Sequence, residues 1–137
     1  MTSKPASLPL VSIVIVSWNA REYLAECLQS LTDKVYAGPM ETIVVDNASS
    51  DGSAEMVRTR FPGVQLVCND QNLGFAKSNN VGIRLARGDY LALVNSDVHV
   101  LDGCIDTLVA YCESDRKAGI VGPRIIGRDG LQQASCR

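Results

Sequence analysis

The chain has 137 residues, enough for one domain that buries about two-thirds of the surface its unfolded form exposes. Hydrophobic residues make up 46% and charged residues 20%, with a net charge of −2. That balance excludes a disordered chain and a basic nucleic-acid-binding surface, so an anionic ligand would need local donors or a metal. No run reaches the roughly 18 apolar residues that cross a bilayer. Residues 1–9 lack the apolar centre of a signal peptide and read as a disordered lead-in.

A β-branched run from Leu10 to Val16 predicts a first strand, which ends at the polar Asn19. Leu24, Cys27, Leu28 and Leu31 then recur at helical spacing, and Asn19 with Glu22 has the form of a capping pair. The unit repeats. Thr42 to Val45 is a second strand, followed by a polar loop and a helix bearing Met56, Val57 and Phe61. The third strand ends at Cys68, and the helix after it is expected to turn Phe75, Val81 and Leu85 inward and to stop at Gly88. Tyr90 to Val94 reads as a fourth strand, buried on both faces. Asp102 is expected to cap a helix carrying Ile105, Leu108, Val109 and Cys112, and a last strand pair is expected around Pro123.

Continuous apolar strands alternating with helices predict an α/β fold, Rossmann-like, with a mostly parallel sheet and helices on both faces. The five cysteines are odd in number and form no CxxC pair. Four of them (Cys27, Cys68, Cys104 and Cys112) fall in apolar patterns, which fits reduced, buried thiols and a cytoplasmic location.

Ligands of open α/β sheets bind beyond the carboxyl ends of the strands. Four such ends are polar: Ser17-Trp18-Asn19, the run from Asp46 to Ser53, Asn69 to Gly74, and Asn95-Ser96-Asp97. Each alone could be a turn or a helix cap, Trp18 could be a core aromatic, Lys77 a solvated helix residue, and His99 a rim residue. Together they would gather on one rim. Asp97 poses the sharpest question, because an unpaired carboxylate at the end of a buried strand costs several kcal/mol. The dinucleotide-binding GxGxxG, the P-loop and the GxSxG elbow are all missing, and one histidine gives little support to a nucleophilic triad.

Four segments carry a resemblance: "VSIVIVSWNAREYLAECLQSL", "TIVVDNASSDGS", "NDQNLGFAKSNNVGI" and "GDYLALVNSDV". In this order they resemble the N-terminal half of an inverting family 2 glycosyltransferase with the GT-A fold, closest to the rhamnosyltransferase-like group. The resemblance implies a UDP- or dTDP-linked sugar as donor and a glycan or lipid-linked acceptor. It implies a substrate-binding set of Trp18, Asn19, Asp46, Ser49, Asn72, Gly74, Lys77, Asn95 and Asp97. Within it Asp46 accepts from the base, Trp18 stacks on it, and Asn72 and Gly74 approach the ribose and diphosphate. Asp97 ends a DxD-like motif whose first acid is here Asn95, and would hold Mg2+ or Mn2+. Such a cation needs only one or two carboxylates beside the substrate phosphates, which would balance the charge of Asp97.

Residues 10–137 would then be the nucleotide-sugar-binding half, with the acceptor half and the general base expected beyond Arg137. The chain alone would be inactive, and an uncovered sheet edge would favour self-association. The full-length protein would work peripherally at the inner membrane face. A sugar nucleotidyltransferase and a non-catalytic nucleotide-binding or phospho-acceptor signalling domain are the alternatives. The first expects a basic, glycine-rich loop after strand one, which "SWNAREYL" lacks. A receiver-like form of the second expects paired acids there, of which Val16-Ser17-Trp18-Asn19 has none.

Overall fold

A computed structural model describes residues 7–32 and 34–133. Strands and helices alternate: β1 (Val11–Ser17), α1 (Arg21–Ser30), β2 (Met40–Asp46), α2 (Ser53–Arg60), β3 (Gln65–Cys68), α3 (Phe75–Leu85), β4 (Tyr90–Asn95) and α4 (Cys104–Ser114). The four strands form one parallel sheet in the order β3-β2-β1-β4. The predicted α/β class is what the chain adopts. Among the described residues no helix is long and apolar enough to cross a membrane.

Register explains the two layers. Val11, Ile13 and Ile15 of β1 face one side with Val44, where Leu24, Cys27 and Leu28 of α1, Met56 and Val57 of α2, and Ile105 and Val109 of α4 close over them. Val14, Ile43 and Val45 face the other side, where α3 lies with Val81 and Ala86 packed against them. Parallel strands need crossovers of one hand. The chain runs outward from β1 to β3 with α1 and α2 on one face, then returns past β1 to β4 with α3 on the other.

Several expectations are corrected. β4 is not buried on both faces: it is an edge strand on which Leu91 and Leu93 stand 43% and 52% exposed, because α3 covers β1 and β2 and does not reach it. α3 buries Ser78, Asn79 and Gly82, whereas Phe75 and Leu85 are exposed. A close helix–sheet approach favours small residues, so apolar spacing misassigned this face. The helix also ends at Leu85, before Gly88, whose N–H donates instead to Ser12 Oγ at 2.8 Å.

Neither predicted cap forms. α1 starts after Ala20 without a side-chain cap of its own, and Gly103, not Asp102, precedes α4 in a left-handed conformation. Around Pro123 there is no strand pair; only a bridge between Ile126 and Gln132 forms, in a tight hairpin. Proline lacks an N–H to give to a ladder. Cys27 is buried, but Cys68, at the end of the edge strand β3, is exposed. Cys136 and most of the expected lead-in lie outside the described residues.

Candidate functional site

The strand order reverses between β1 and β4, since β1 leads to β2 on one side while β4 arrives on the other. At such a switch point the loops leaving two neighbouring strands diverge and open a crevice. The crevice here is an open cleft of about 940 Å³. Val16, Asn19 and Ala20 line it from the end of β1, Asn95, Ser96 and Asp97 from the end of β4, and Tyr23, Phe75 and Arg128 complete its walls.

The β1–α1 turn is shaped by its neighbour. Asn19 adopts φ 47, and its Oδ1 accepts from the Ser50 amide at 2.8 Å while its own amide donates to Ser49 Oγ at 2.9 Å. Asp51 finishes the seam. Its Oδ2 accepts from the Arg21 amide at 2.9 Å and its Oδ1 from the Ser53 amide at 3.0 Å, so one carboxylate satisfies first-turn donors of both α1 and α2. Desolvation pushes its carboxyl up, but the Ser53 hydroxyl and these amides together outweigh it and hold the carboxyl below its usual value. Asn19 therefore belongs to an inter-loop seam and not to a cap within its own helix.

Asp46 ends β2, only 3% exposed. Its Oδ2 accepts from the Ser49 amide at 3.0 Å, which closes the loop. Among the described residues its Oδ1 is buried without a partner, as is the hydroxyl of Ser17, the residue beside it in the β1–β2 register. Buried oxygens left unpaired are uncommon and call for an explanation. Next to Asp46, the side chain of Asn47 ties the loop after β3 and the start of α3 into one network with Asn69, Asn72, Leu73 and Ser78. Nothing in the composition of "DNASSDGS" distinguishes Asn47 from a turn residue; only its zero-gap position after a buried strand end could have flagged it.

All the predicted residues lie at or just beyond the carboxyl ends of the strands, but they divide. Asn19, Asn95 and Asp97 line the cleft. Asp46, Ser49, Asn72 and Gly74 belong to the adjoining loops of β2 and β3. Trp18 is 56% exposed, which excludes the core-aromatic alternative, yet it does not line the cleft. Lys77 is exposed on the first turn of α3 and is not among the cleft's lining residues. Ser96, part of the polar end of β4, lines the cleft as well, whereas Tyr23, Phe75 and Arg128 were not anticipated there. Asp89 stands at the opposite end of the sheet, where its carboxylate accepts from the Leu10 amide at 2.9 Å.

Asp97 is exposed, so water hydrates its charge and the burial cost expected of it does not arise. Beneath it the buried Cys27 thiol donates to the Asn95 carbonyl at 3.5 Å. Burial, then the charge of Asp97, push that thiol up to about 11. Among the described residues no group of three His, Cys, Asp or Glu side chains is arranged to hold a metal. At the β4 side of the cleft the donors are oxygens: the Asp97 carboxylate, the Asn95 amide and the Ser96 hydroxyl. Such a set fits a hard divalent cation that draws its remaining ligands from phosphates and water.

The glycosyltransferase GlyG of Streptococcus pneumoniae serotype 4 is 29% identical over 116 residues, which cover 82% of this chain and 38% of GlyG. AglE of Haloferax volcanii, also a glycosyltransferase, is 32% identical over 96 residues, covering 67% of this chain and 32% of AglE. The matched residues thus span about a third of the length of these relatives. The mannosyltransferase PcManGT of Pyrobaculum calidifontis, solved with GDP-Man and Mn2+, superposes with a TM-score of 0.65 at 27% identity, over 77% of this chain and 32% of that one. TarS 1–349 of S. aureus shares the fold with a TM-score of 0.67 at 24% identity, over 76% of this chain and 32% of that one. Residues 12–134 match the family described as Glycosyl transferase family 2, and the chain belongs to it.

Proposed function

We propose that this chain binds the donor of a glycosyltransferase that moves a sugar from a nucleoside diphosphate to an acceptor hydroxyl with inversion. The observation that carries this is the switch-point cleft, lined by Asn19 just after β1 and by Asn95, Ser96 and Asp97 at the end of β4. In this reading Asp97 anchors Mg2+ or Mn2+ on the diphosphate, with Asn95 and Ser96 as neutral oxygen donors. When bound, the cation neutralises the charge that develops on the departing diphosphate. Arg128, on the same cleft, supplies a second positive group to the phosphates.

The base of the nucleotide is assigned to the adjoining rim. There the unpaired Oδ1 of Asp46 accepts a ring N–H once the rim relaxes around the ligand, and exposed Trp18 offers a stacking surface. Asn72 and Gly74 approach the ribose, and Ser49 holds Asp46 in place through its amide. Lys77 is assigned to the phosphates from the first turn of α3. PcManGT, with its bound GDP-Man and Mn2+, supports both donor class and metal. A dTDP- or UDP-linked donor, a rhamnosyltransferase-like specificity and a glycan or lipid-linked acceptor complete the proposal. Asp97, committed to the cation, is not assigned the role of general base.

Thermal shift and calorimetry with UDP, dTDP and GDP, each with and without Mn2+, test this. Stabilisation by one nucleoside diphosphate, dependent on Mn2+ and reduced at least tenfold in affinity by Asp97→Ala, is expected. An equal response to ATP without metal would overturn it in favour of a general nucleotide-binding domain.

A further inference from the structure

We propose that Asn47 is a positioning residue for the nucleotide-sugar donor, setting through its side-chain amide which way Asn72 presents its own. The inference rests on the donor-binding role proposed above. Asn47 is 3% exposed, and its backbone is pinned to β1 by donation of its N–H to the Ser17 carbonyl at 2.8 Å. Its Oδ1 accepts from Asn69 Nδ2 at 3.1 Å, from the Leu73 amide at 2.9 Å and from Ser78 Oγ at 2.9 Å. One oxygen thus gathers the loop after β3 and the first turn of α3. Its Nδ2 donates to Asn72 Oδ1 at 2.6 Å, and the same Oδ1 accepts from the Gly74 amide at 2.9 Å.

The consequence is directional. With both donors on its Oδ1, the Asn72 amide is fixed in one of its two orientations, and its Nδ2 donates to no partner among the described residues. Asn72 is exposed, so those two N–H groups are offered outward. A ribose hydroxyl or a phosphate oxygen is an acceptor, and this orientation suits it. The opposite orientation would present an oxygen to an oxygen. Gly74, at φ 78, takes a conformation that a side chain would strain, and its amide is held by the same Asn72 oxygen. A buried amide with four side-chain hydrogen bonds to two other segments is thereby the template for the donor-facing loop.

Asn47→Asp tests this with little change of shape. The introduced carboxyl keeps an oxygen for Asn69, Leu73 and Ser78, but opposes a second oxygen to Asn72 Oδ1, so the Asn72 amide should reverse. The probe is UDP, dTDP or GDP with Mn2+, whichever the unsubstituted chain binds. Affinity should fall at least tenfold in Asn47→Asp, with a cooperative urea transition retained. Asn72→Ala should also weaken binding, and the double variant should bind no worse than Asn72→Ala alone, because Asn47 acts through Asn72. Independent losses that multiply in the double variant would overturn the inference, as would an affinity in Asn47→Asp within twofold of the original. Should Asn47→Asp not fold, amide exchange in the unsubstituted chain decides: Leu73 and Gly74 should exchange at least a hundredfold slower than an open loop, and open-loop rates would overturn the template. Failure of the unsubstituted chain to bind UDP, dTDP or GDP with Mn2+ would overturn the proposed function itself, and this inference with it.

Discussion

Position 82 carries glycine inside a helix, where alanine is ordinarily favoured by about 1 kcal/mol. The structure reverses that preference. A Cβ at Gly82 would overlap Val14 Cγ1 and lie 3.3 Å from Val45 Cγ2. Val14 is fully buried on the central strand, and its branched side chain has little freedom to yield. Overpacking of this kind costs about 1–3 kcal/mol. Gly82→Ala should therefore destabilise the chain by about 1–2 kcal/mol in urea unfolding. The double variant with Val14→Ala should recover part of that loss. A stabilised Gly82→Ala would mean that α3 does not approach the sheet so closely. This face of α3 was illegible in the sequence for the same reason: the buried positions are Ser78, Asn79 and Gly82, while the apolar Phe75 and Leu85 turn outward. Hydrophobic spacing reports which residues leave water; it does not report how near a backbone must come.

Between elements, polar ties at the two ends of the sheet have different work. At the amino ends of the strands, Glu41 of β2 joins β1 to the segment after α3. Its Oε1 accepts from Ser12 Oγ at 2.6 Å and from the Arg87 amide at 2.7 Å, and its Oε2 accepts from the Arg87 side chain at 2.7 and 3.0 Å. The Ser12 hydroxyl first, then the Arg87 amide, lower the Glu41 carboxyl from 4.5 to about 2 despite its partial desolvation. A carboxyl held lower in the folded chain than in the unfolded one stabilises fully above its unfolded value. That contribution is lost as pH falls from about 4.5 towards 2. With Arg87 largely exposed and screened, the loss should be about 1–2 kcal/mol. Urea midpoints measured from pH 6 to pH 3 should fall, and Glu41→Gln should flatten the slope over that range. A variant with the same pH slope as the original would show that other carboxylates set it. At the carboxyl ends, Asn19, Asp51 and Asn47 tie loop to loop. Sequence spacing read Asn19 as a cap for its own helix because i to i+3 pairs are the local pattern it can detect. A donor some thirty residues away, as Ser50 is to Asn19, leaves no such pattern.

Across the whole molecule, strand and helix order was legible because every strand of a parallel sheet needs a crossover, and the hydrophobic period changes at each one. The polar strand ends were legible for a related reason: a buried run that stops at Asp or Asn stops at the rim. How the rim divides was not legible, since it depends on strand order, and β4 lies beside β1 instead of β3. The same order makes β4 an edge strand and leaves one of its faces bare. Burial along β4 alternates, with Leu91, Leu93 and Asn95 exposed and Tyr90, Ala92 and Val94 packed towards α1 and α4.

An edge strand with exposed leucines and unpaired backbone groups is a template for association. The chain as it stands should therefore bind a hydrophobic dye and show concentration-dependent self-association in sedimentation. Leu93→Lys should suppress both while moving stability by less than about 0.5 kcal/mol, because the side chain is already half in water. Val94→Lys, one residue on, points into the packed layer and should unfold the chain, since a lysine charge there has no partner. The pair of neighbouring substitutions thus separates a sticky face from a weak fold. If Leu93→Lys leaves dye binding and association as they were, the bare face of β4 is not their source.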